Sequence, residues 1–181
     1  MYMMTLQKED TTKNENVNPE FHNLKNSWNL WAHLPHDTDW GINSYKKIYN
    51  FKTMEESIAI TETLPEILVK NCMLFIMKDK ILPIWEDPNN RNGGCFSYKI
   101  SNKIVYEVWR NITYLLLGET LSNNDTCVSA ISGITISPKK NFCIIKIWLS
   151  NCSFQNPDII TNEIKGIVSQ GCLFKKHMPE Y

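Results

Sequence analysis

One segment organises the rest of this sequence: Ile81-Leu82-Pro83-Ile84-Trp85-Glu86-Asp87-Pro88-Asn89-Asn90-Arg91-Asn92-Gly93-Gly94. It follows an apolar run over residues 72–77 that predicts a buried strand, and Trp85 and Glu86 stand side by side where the apolar signal ends. An indole face beside a carboxylate suits a flat, electron-poor ring with N–H donors, because the ring stacks and the carboxylate accepts its hydrogens. A core tryptophan beside a solvated acid gives the same dipeptide, so the interpretation depends on the rest of the chain.

Length, charge and cysteine usage bound the class of protein. The chain has 181 residues, enough for one domain with a sizeable core. Its 19 basic residues balance its 19 acidic residues, which excludes a protein held on nucleic acid by a global positive field, so any RNA contact is local. The six cysteines form no Cys-x-x-Cys pair, and the sequence shows neither a secretory signal nor a long apolar span. These features predict reduced thiols in the cytoplasm or nucleus and no membrane contact.

The chain divides into a polar tail and one folded domain. Residues 1–20 lack apolar periodicity, which predicts a disordered tail before a domain over residues 21–181. Alternating apolar residues and turn signals predict about seven strands, most of them consecutive. A hairpin formed by residues 127–136 and 142–149 is the clearest of these pairs.

Three helices are predicted among the strands. Thr53 and Glu56 form a capping box that starts the first helix, and a long amphipathic helix ends at Gly118. A third helix is predicted from Pro157 to Gly171. Consecutive strands with a few helices favour an α+β fold, in which helices cover one side of an antiparallel sheet.

Two further tryptophans fall outside the predicted core. Trp40 stands in the polar loop 33–41, where a large aromatic side chain either packs back onto the domain or is available to a ligand. Trp148 shares a strand face with Lys146, opposite the aliphatic row of the same strand. This alternation places Trp148 on the less buried side of the sheet.

Signatures of catalysis are weak. His33 and His36 lack a carboxylate or cysteine that would complete a metal site at convincing spacing. The sequence also lacks a glycine-rich phosphate loop, a prominent acid pair and a local nucleophile signature. We therefore expect a binding protein rather than an enzyme, without a metal or cofactor.

Taken in order, these features are similar to the eukaryotic translation initiation factor 4E family, whose members bind the mRNA 5′ cap. The matching positions run from residue 22 to about residue 170 at nearly constant spacing and cover most of the chain. They are His22-x-Leu24, Trp28-x-x-Trp31, Asp39-Trp40, Ile84-Trp85-Glu86-Asp87, Gly93-Gly94, Trp109, Leu117-Gly118-Glu119 and Ile145-x-Ile147-Trp148.

The resemblance implies both a fold and a site. The family fold is a single curved antiparallel sheet backed by about three helices on its convex side, with the cap pocket on the concave side. In the family, two tryptophans sandwich 7-methylguanine, and the matching positions here are Trp40 and Trp85. The carboxylate that accepts the guanine N1–H and N2 hydrogens corresponds to Glu86, and the tryptophan that contacts the 7-methyl group corresponds to Trp148.

The phosphate-binding positions of the family are only partly matched. Lys139 falls on a phosphate-binding arginine of the family, whereas two further basic positions fall on Cys95 and Ile144. The other basic side chains that could take their place are Arg91, Lys140 and Lys146.

The dorsal surface, on which the family binds a helical Tyr-x-x-x-x-Leu-apolar peptide of scaffold and repressor proteins, also departs from the pattern. His22 and Leu24 are retained, but the tryptophan at the centre of this surface is Ile58 here. Two apolar positions on the long helix are Arg110 and Tyr114. An arginine at a groove position disfavours an apolar ligand, so we expect weak binding of the standard peptide.

Two function classes follow from the resemblance. The first is a protein that binds capped mRNA and acts in translation initiation through a divergent scaffold or repressor partner. The second is an interaction module or translational repressor that keeps the fold, binds the cap weakly and uses a non-standard partner surface. Retention of Trp40, Trp85, Glu86 and Trp148 favours the first class.

Overall fold

The computed structural model describes residues 21–161 and 163–178. The disordered tail predicted for residues 1–20 lies outside these described residues. None of the helices that the described residues form has the length and apolar content needed to cross a membrane.

Seven strands of the described chain form a single curved sheet in which every neighbouring pair is antiparallel. The strands are β1 (Asn23–His33), β2 (Tyr45–Thr53), β3 (Met73–Lys78), β4 (Gly94–Ser101), β5 (Ile131–Pro138), β6 (Phe142–Leu149) and β7 (Leu173–Lys176). Their order across the sheet is β2-β1-β3-β5-β6-β4-β7. Register shifts between β1 and β2, and between β5 and β6, mark irregularities of the kind that bend a sheet. The predicted α+β class with one curved antiparallel sheet is confirmed.

The described residues form four α-helices where about three were expected. They are α1 (Met54–Thr63), α2 (Glu66–Asn71), α3 (Val105–Leu117) and α4 (Asp125–Ala130). The predicted capping box starts α1: the Glu56 amide donates to Thr53 Oγ1 at 3.2 Å, and the Thr53 amide donates to Glu56 Oε2 at 3.1 Å. The predicted apolar stripe of α3, including Trp109, is buried. The two short helices, of six residues each, are too brief for apolar periodicity to reveal.

The two faces of the sheet are covered differently. On one face, alternate strand residues such as Leu74 and Ile76 pack with the helices into the main core. On the other face, a separate small cluster comprises Phe75, Met77, Cys95 and Trp148. We call this second face the open face.

The helix predicted between Pro157 and Gly171 is wrong. The described part of that segment contains only a short 3-10 turn over Pro157–Ile159. Its apolar residues Ile164 and Ile167 are buried, so the burial pattern is real, but an irregular chain achieves it. Gly166 has φ +96°, a left-handed conformation that interrupts a helix at this point.

Two strand boundaries also differ from expectation. The strand before the Trp-Glu pair ends at Lys78, so Trp85 lies in the following loop rather than at the strand end. Residues 127–130, expected to begin a strand, belong to α4. Asn124 caps that helix, because its side-chain oxygen accepts a hydrogen bond from the Cys127 amide at 2.9 Å.

Candidate functional site

The loop between β3 and β4 carries Trp85 and Glu86, and buried polar side chains fix its shape. Asp87 is only 5% exposed. Its carboxylate accepts hydrogen bonds from the amides of Leu82 at 3.0 Å and Asn89 at 2.8 Å. The loop has no strand pairing here, so these side-chain bonds hold its backbone in place around the Trp-Glu pair.

Asn90 holds the other end of the same loop. Its side chain is fully buried and donates to the carbonyls of Leu82 at 3.0 Å and Ile84 at 2.9 Å. Trp85 follows directly and is 40% exposed, and Glu86 is exposed as well. The loop therefore presents an indole and a carboxylate to solvent from a fixed backbone, which is the preorganisation that a binding site requires.

The Gly-Gly pair after this loop serves close packing. A Cβ atom on Gly93 would lie 1.7 Å from the carbonyl oxygen of Leu149, and one on Gly94 would lie 2.5 Å from the ring of Phe174. The chain can bring β4 between the end of β6 and β7 only because both side chains are absent. The pair thereby sets the position from which the Trp85 loop leaves the sheet.

Trp40 lies in the loop between β1 and β2 and combines the two alternatives that the sequence left open. Its ring stacks on the buried imidazole of His33, with ring centroids 4.4 Å apart and planes inclined by 5°. It nevertheless remains 58% exposed. His33 Nε2 lies 2.7 Å from the carbonyl oxygen of Asp39, so this nitrogen is the donor and the ring orientation is fixed.

Tyr45 lies between the Trp40–His33 stack and Glu86, because it contacts His33 and its phenol senses the Glu86 charge. Its ring meets His33 edge-on at 5.1 Å and Phe75 at 5.3 Å, on the open face. Burial, and in second place the negative charge of Glu86, raise the pKa of the Tyr45 phenol. The Glu86 carboxylate therefore lies close enough to act on Tyr45, and Trp40, His33, Tyr45 and Glu86 belong to one neighbourhood.

Trp148 lies on the open face, as the strand alternation predicts, but it is buried rather than exposed. It is 7% exposed, and the imidazole of His177 covers it at a centroid distance of 4.6 Å. The His177 amide donates to the Gly93 carbonyl at 2.9 Å, and His177 Nδ1 lies 2.8 Å from the Asn90 carbonyl. Sequence reasoning missed this cover because His177 follows a part of the chain that was expected to be helical.

The four basic residues expected near the phosphates fall in different places. Lys146 is half-buried on the open face, two residues from Trp148 on β6. Lys139 and Lys140 are exposed in the turn between β5 and β6. The six residue steps of β6 from Phe142 to Trp148, at 3.2–3.4 Å each, separate that turn from Trp148 by about 20 Å. Arg91 is exposed in the Trp85 loop. Of the four, the structure brings Lys146 to the Trp148 side of the site.

Lys175 is a further cation on the open face that sequence reasoning missed. It pairs with Cys95 across β4 and β7, and paired residues point to the same face of a sheet. Its neighbour Phe174 packs on Phe96 of the main core at 5.2 Å, which fixes the alternation of this short strand. Residues 173–176 read Leu-Phe-Lys-Lys and do not alternate, so the local sequence carries no strand signal that would mark this lysine.

The dorsal residues on α1 and α3 form a polar cluster instead of an apolar groove. Glu62 of α1 accepts hydrogen bonds from both Arg110 and Tyr114 of α3. These two bonds, with Tyr114 contributing more, lower the pKa of Glu62. Ile58, at the position expected to hold the central tryptophan, is 51% exposed.

The retained dorsal residues lie at the start of β1. His22 Nδ1 lies 2.7 Å from the Glu55 carboxylate, and the His22 amide donates to the same carboxylate at 3.0 Å. Leu24 packs against the main core. All five expected dorsal residues are therefore placed, and the cluster around Glu62 is the feature that the sequence did not reveal.

Comparison with known proteins agrees with this fold. The sequence profile of the family described as eukaryotic initiation factor 4E matches residues 23–178. Eukaryotic translation initiation factor 4E-2 of Schizosaccharomyces pombe is 32% identical over 139 residues, which is 73% of this chain and 55% of that protein. The eukaryotic translation initiation factor 4E homolog of Acanthamoeba polyphaga mimivirus is 45% identical over 83 residues, 45% of this chain and 27% of that protein. The matched region thus spans about half or less of these two relatives.

Two solved structures of similar fold are complexes of eIF4E proteins with a cap compound and a 4E-binding protein. One is Caenorhabditis elegans eIF4E-3 with the 4E-binding protein Mextli and cap analog, with a TM-score of 0.71 at 20% identity, covering 87% of this chain and 94% of that chain. Another is schistosome eIF4E complexed with m7GpppG and 4E-BP, with a TM-score of 0.66 at 25% identity, covering 83% of this chain and 79% of that chain.

Proposed function

We propose that this chain, which belongs to the eukaryotic initiation factor 4E family, binds the 7-methylguanosine 5′ cap of mRNA and acts in translation initiation. The observation that carries the proposal is the exposed Trp40 ring, backed by His33 on one face and open on the other. It lies in the same neighbourhood as the exposed Glu86 and its neighbour Trp85. In this proposal Trp40 and Trp85 sandwich the base.

The chemistry of the methylated base suits this arrangement. Methylation at N7 makes guanine cationic, so each indole face adds cation–π attraction to stacking. Stacking contributes about 1–3 kcal/mol per base, and a desolvated cation–π contact contributes about 2 kcal/mol. Glu86 accepts the N1–H and N2 hydrogens in a charge-assisted pair, which distinguishes guanine from adenine. Trp148 closes the end of the pocket near the 7-methyl group.

A partner on the dorsal surface is the second element of the proposal. Two solved relatives are complexes with a 4E-binding protein. In this chain the Arg110–Glu62–Tyr114 cluster and Ile58 replace the apolar centre of that surface. The scaffold or repressor that docks here is therefore a divergent one.

Retention on immobilised 7-methylguanosine triphosphate tests cap binding. The unmodified protein is retained and is eluted by the methylated nucleotide but not by unmethylated GTP. Trp85→Ala passes through the column, and Glu86→Gln is eluted equally well by methylated guanine and methylated adenine nucleotides. Ile58→Ala, on the helix side of the sheet, serves as a matched control and is retained normally. A folded, unmodified protein that passes through the column overturns the proposal.

A further inference from the structure

We propose that β7 and the residues after it supply the anion-binding end of the cap site, through Lys175 and His177 together with Lys146, and that His177 takes up a proton when the cap phosphates bind. This inference rests on the proposed cap binding. It assigns to the site two residues that the sequence pattern did not single out, and it makes cap affinity dependent on pH.

The first step is the position of the two lysines. Cys95 occupies a place where the family pattern has a basic residue, and the strand pairing sets Lys175 directly opposite it. Burial raises the pKa of the Cys95 thiol, and the charges of Lys146 and Lys175 act against that rise. Both ammonium groups therefore approach the place where the basic residue is missing, one from each side of β4.

The second step is that two buried ring nitrogens, Nε2 of His177 and Nε1 of Trp148, have no hydrogen-bond partner among the described residues. His177 Nδ1 donates to the Asn90 carbonyl, so Nε2 of the neutral ring holds a lone pair and no hydrogen. This Nε2 is buried without a hydrogen-bond partner among the described residues, and so is the indole N–H of Trp148, whose side chain His177 covers. An indole N–H only donates, and a protonated imidazole donates from Nε2 as well. An anion oxygen beside both would satisfy the two groups together.

The third step is the charge balance around His177. The charged group that acts on it from β6 is Lys146, and Lys175 lies two residues earlier in the chain, on β7. Burial in first place, and Lys146 in addition, lower the pKa of His177, while the hydrogen bond to Asn90 acts in the opposite direction. These effects keep His177 neutral at pH 7 in the protein without a bound anion.

A bound polyphosphate reverses this balance, because negative charge next to the imidazole favours its protonated form. The pKa of His177 is then higher in the complex than in the free protein. In the pH range between the two pKa values, affinity increases as pH falls, by at most about tenfold per pH unit for one linked proton.

Calorimetry on the whole protein with the dinucleotide m7GpppG tests the inference, because this ligand has no terminal phosphate that titrates near pH 6. Titrations in two buffers of different ionisation enthalpy measure the protons taken up on binding. We expect uptake of a fraction of a proton near pH 7 and an affinity that increases severalfold from pH 8 to pH 6. The nucleoside 7-methylguanosine, which lacks phosphates, should take up only the protons that its own N1 position regains on binding to Glu86, so the additional uptake with m7GpppG reports His177.

Variants separate the roles of the two residues. His177→Gln should reduce the proton uptake with m7GpppG to that of the nucleoside and make the pH profiles of the two ligands alike. Lys175→Gln should lower the affinity for m7GpppG several-fold at every pH while leaving the uptake in place. His36→Asn, a change of an exposed histidine in the Trp40 loop whose φ of 67° asparagine tolerates, is the matched control and should behave as the unmodified protein.

The outcomes distinguish this inference from the proposed function. If m7GpppG binds tightly but with the same proton uptake as the nucleoside, the inference is wrong and cap binding stands. The comparison of the two ligands uses the unmodified protein, so it holds even if a variant fails to fold. If neither ligand binds, both proposals are overturned.

Discussion

Trp40 has an imidazole on one side and solvent on the other, and this asymmetry decides which of its faces a base can use. Trp40→Ala removes one wall of the proposed sandwich. We expect affinity for 7-methylguanosine triphosphate to fall about ten- to hundredfold, since stacking contributes about 1–3 kcal/mol per base and the cationic base adds to it. Quenching of tryptophan fluorescence during titration measures the effect. Trp40→Phe, which keeps a smaller π-face, should recover part of the affinity, and a titration curve unchanged by Trp40→Ala would rule out the sandwich.

His33 acts through Trp40 in this arrangement and therefore belongs to the site as a positioning residue. Its imidazole is 3% exposed and holds the indole parallel at 4.4 Å. His33→Ala should weaken cap binding several-fold, because Trp40 loses the surface that orders it before binding. His33→Phe restores a flat partner and should bind nearly as well as the unmodified protein. Equal affinities of the alanine and phenylalanine variants in the same titration would show that the stack does not order Trp40.

At the scale of elements, the Gly-Gly pair ties the Trp85 loop to the two strands beside β4. Gly93→Ala would place a methyl group 1.7 Å from the Leu149 carbonyl, so β4 and β6 have to separate. We expect a loss of about 2–4 kcal/mol in the free energy of unfolding, in the range that overpacking and strain produce. Urea denaturation measures the loss. Gly41→Ala, whose Cβ would meet only the Asp39 carboxylate at 3.1 Å, is the matched control and should change stability little.

The dorsal cluster between α1 and α3 should exclude the standard helical peptide. An aromatic anchor is absent at Ile58, and the loss of such an anchor commonly costs about 2 kcal/mol or more. The proposed repair is Ile58→Trp with Arg110→Leu. Ile58→Trp alone should repair binding only in part, because Arg110 remains paired with Glu62 in the groove. Calorimetry with a Tyr-x-x-x-x-Leu-apolar peptide compares the three proteins, and tight binding by the unmodified chain would contradict this view.

Periodicity predicted some elements well and others not at all, for a physical reason. The alternation of β6 and the apolar stripe of α3 each report one buried face, so sequence spacing identifies both elements and their orientation. Residues 160–167 satisfy the same spacing, but the left-handed Gly166 shows that burial alone does not make a helix. β7 has only four residues and exists through its pairing with β4, which local sequence does not encode.

The candidate site shows the same division. Trp40 and the Trp85-Glu86 pair stand out in the sequence because an indole in a polar loop and a Trp-Glu dipeptide are unusual, and Trp148 stands out because it lies opposite the aliphatic row of β6. His177 does not, because its contact with Trp148 joins residues 29 positions apart and depends on how β7 docks. Side chains that act by packing across the sheet become visible only once the strand order is known.

For the whole molecule, the balance of 19 basic and 19 acidic residues means that no long-range field draws the capped RNA to the site. The salt dependence of binding then reports the local cations alone, which in the proposed anion site are Lys146 and Lys175. Two such contacts predict that affinity for 7-methylguanosine triphosphate at pH 8 falls by only about tenfold or less between 50 and 200 mM salt. At pH 6 a protonated His177 adds a third contact, and the slope should become steeper.

Fluorescence titrations at a series of salt concentrations measure this slope at each pH. Lys175→Gln should flatten it at both values, whereas Lys139→Gln, in the distant turn between β5 and β6, should leave it almost unchanged. A hundredfold loss of affinity over the same salt range at pH 8 would mean that more cations reach the phosphates than the open face presents. If Lys139→Gln or Lys140→Gln then abolished that steep slope, the phosphates would extend along β6 to the turn, and base recognition would account for a smaller share of the affinity than we propose.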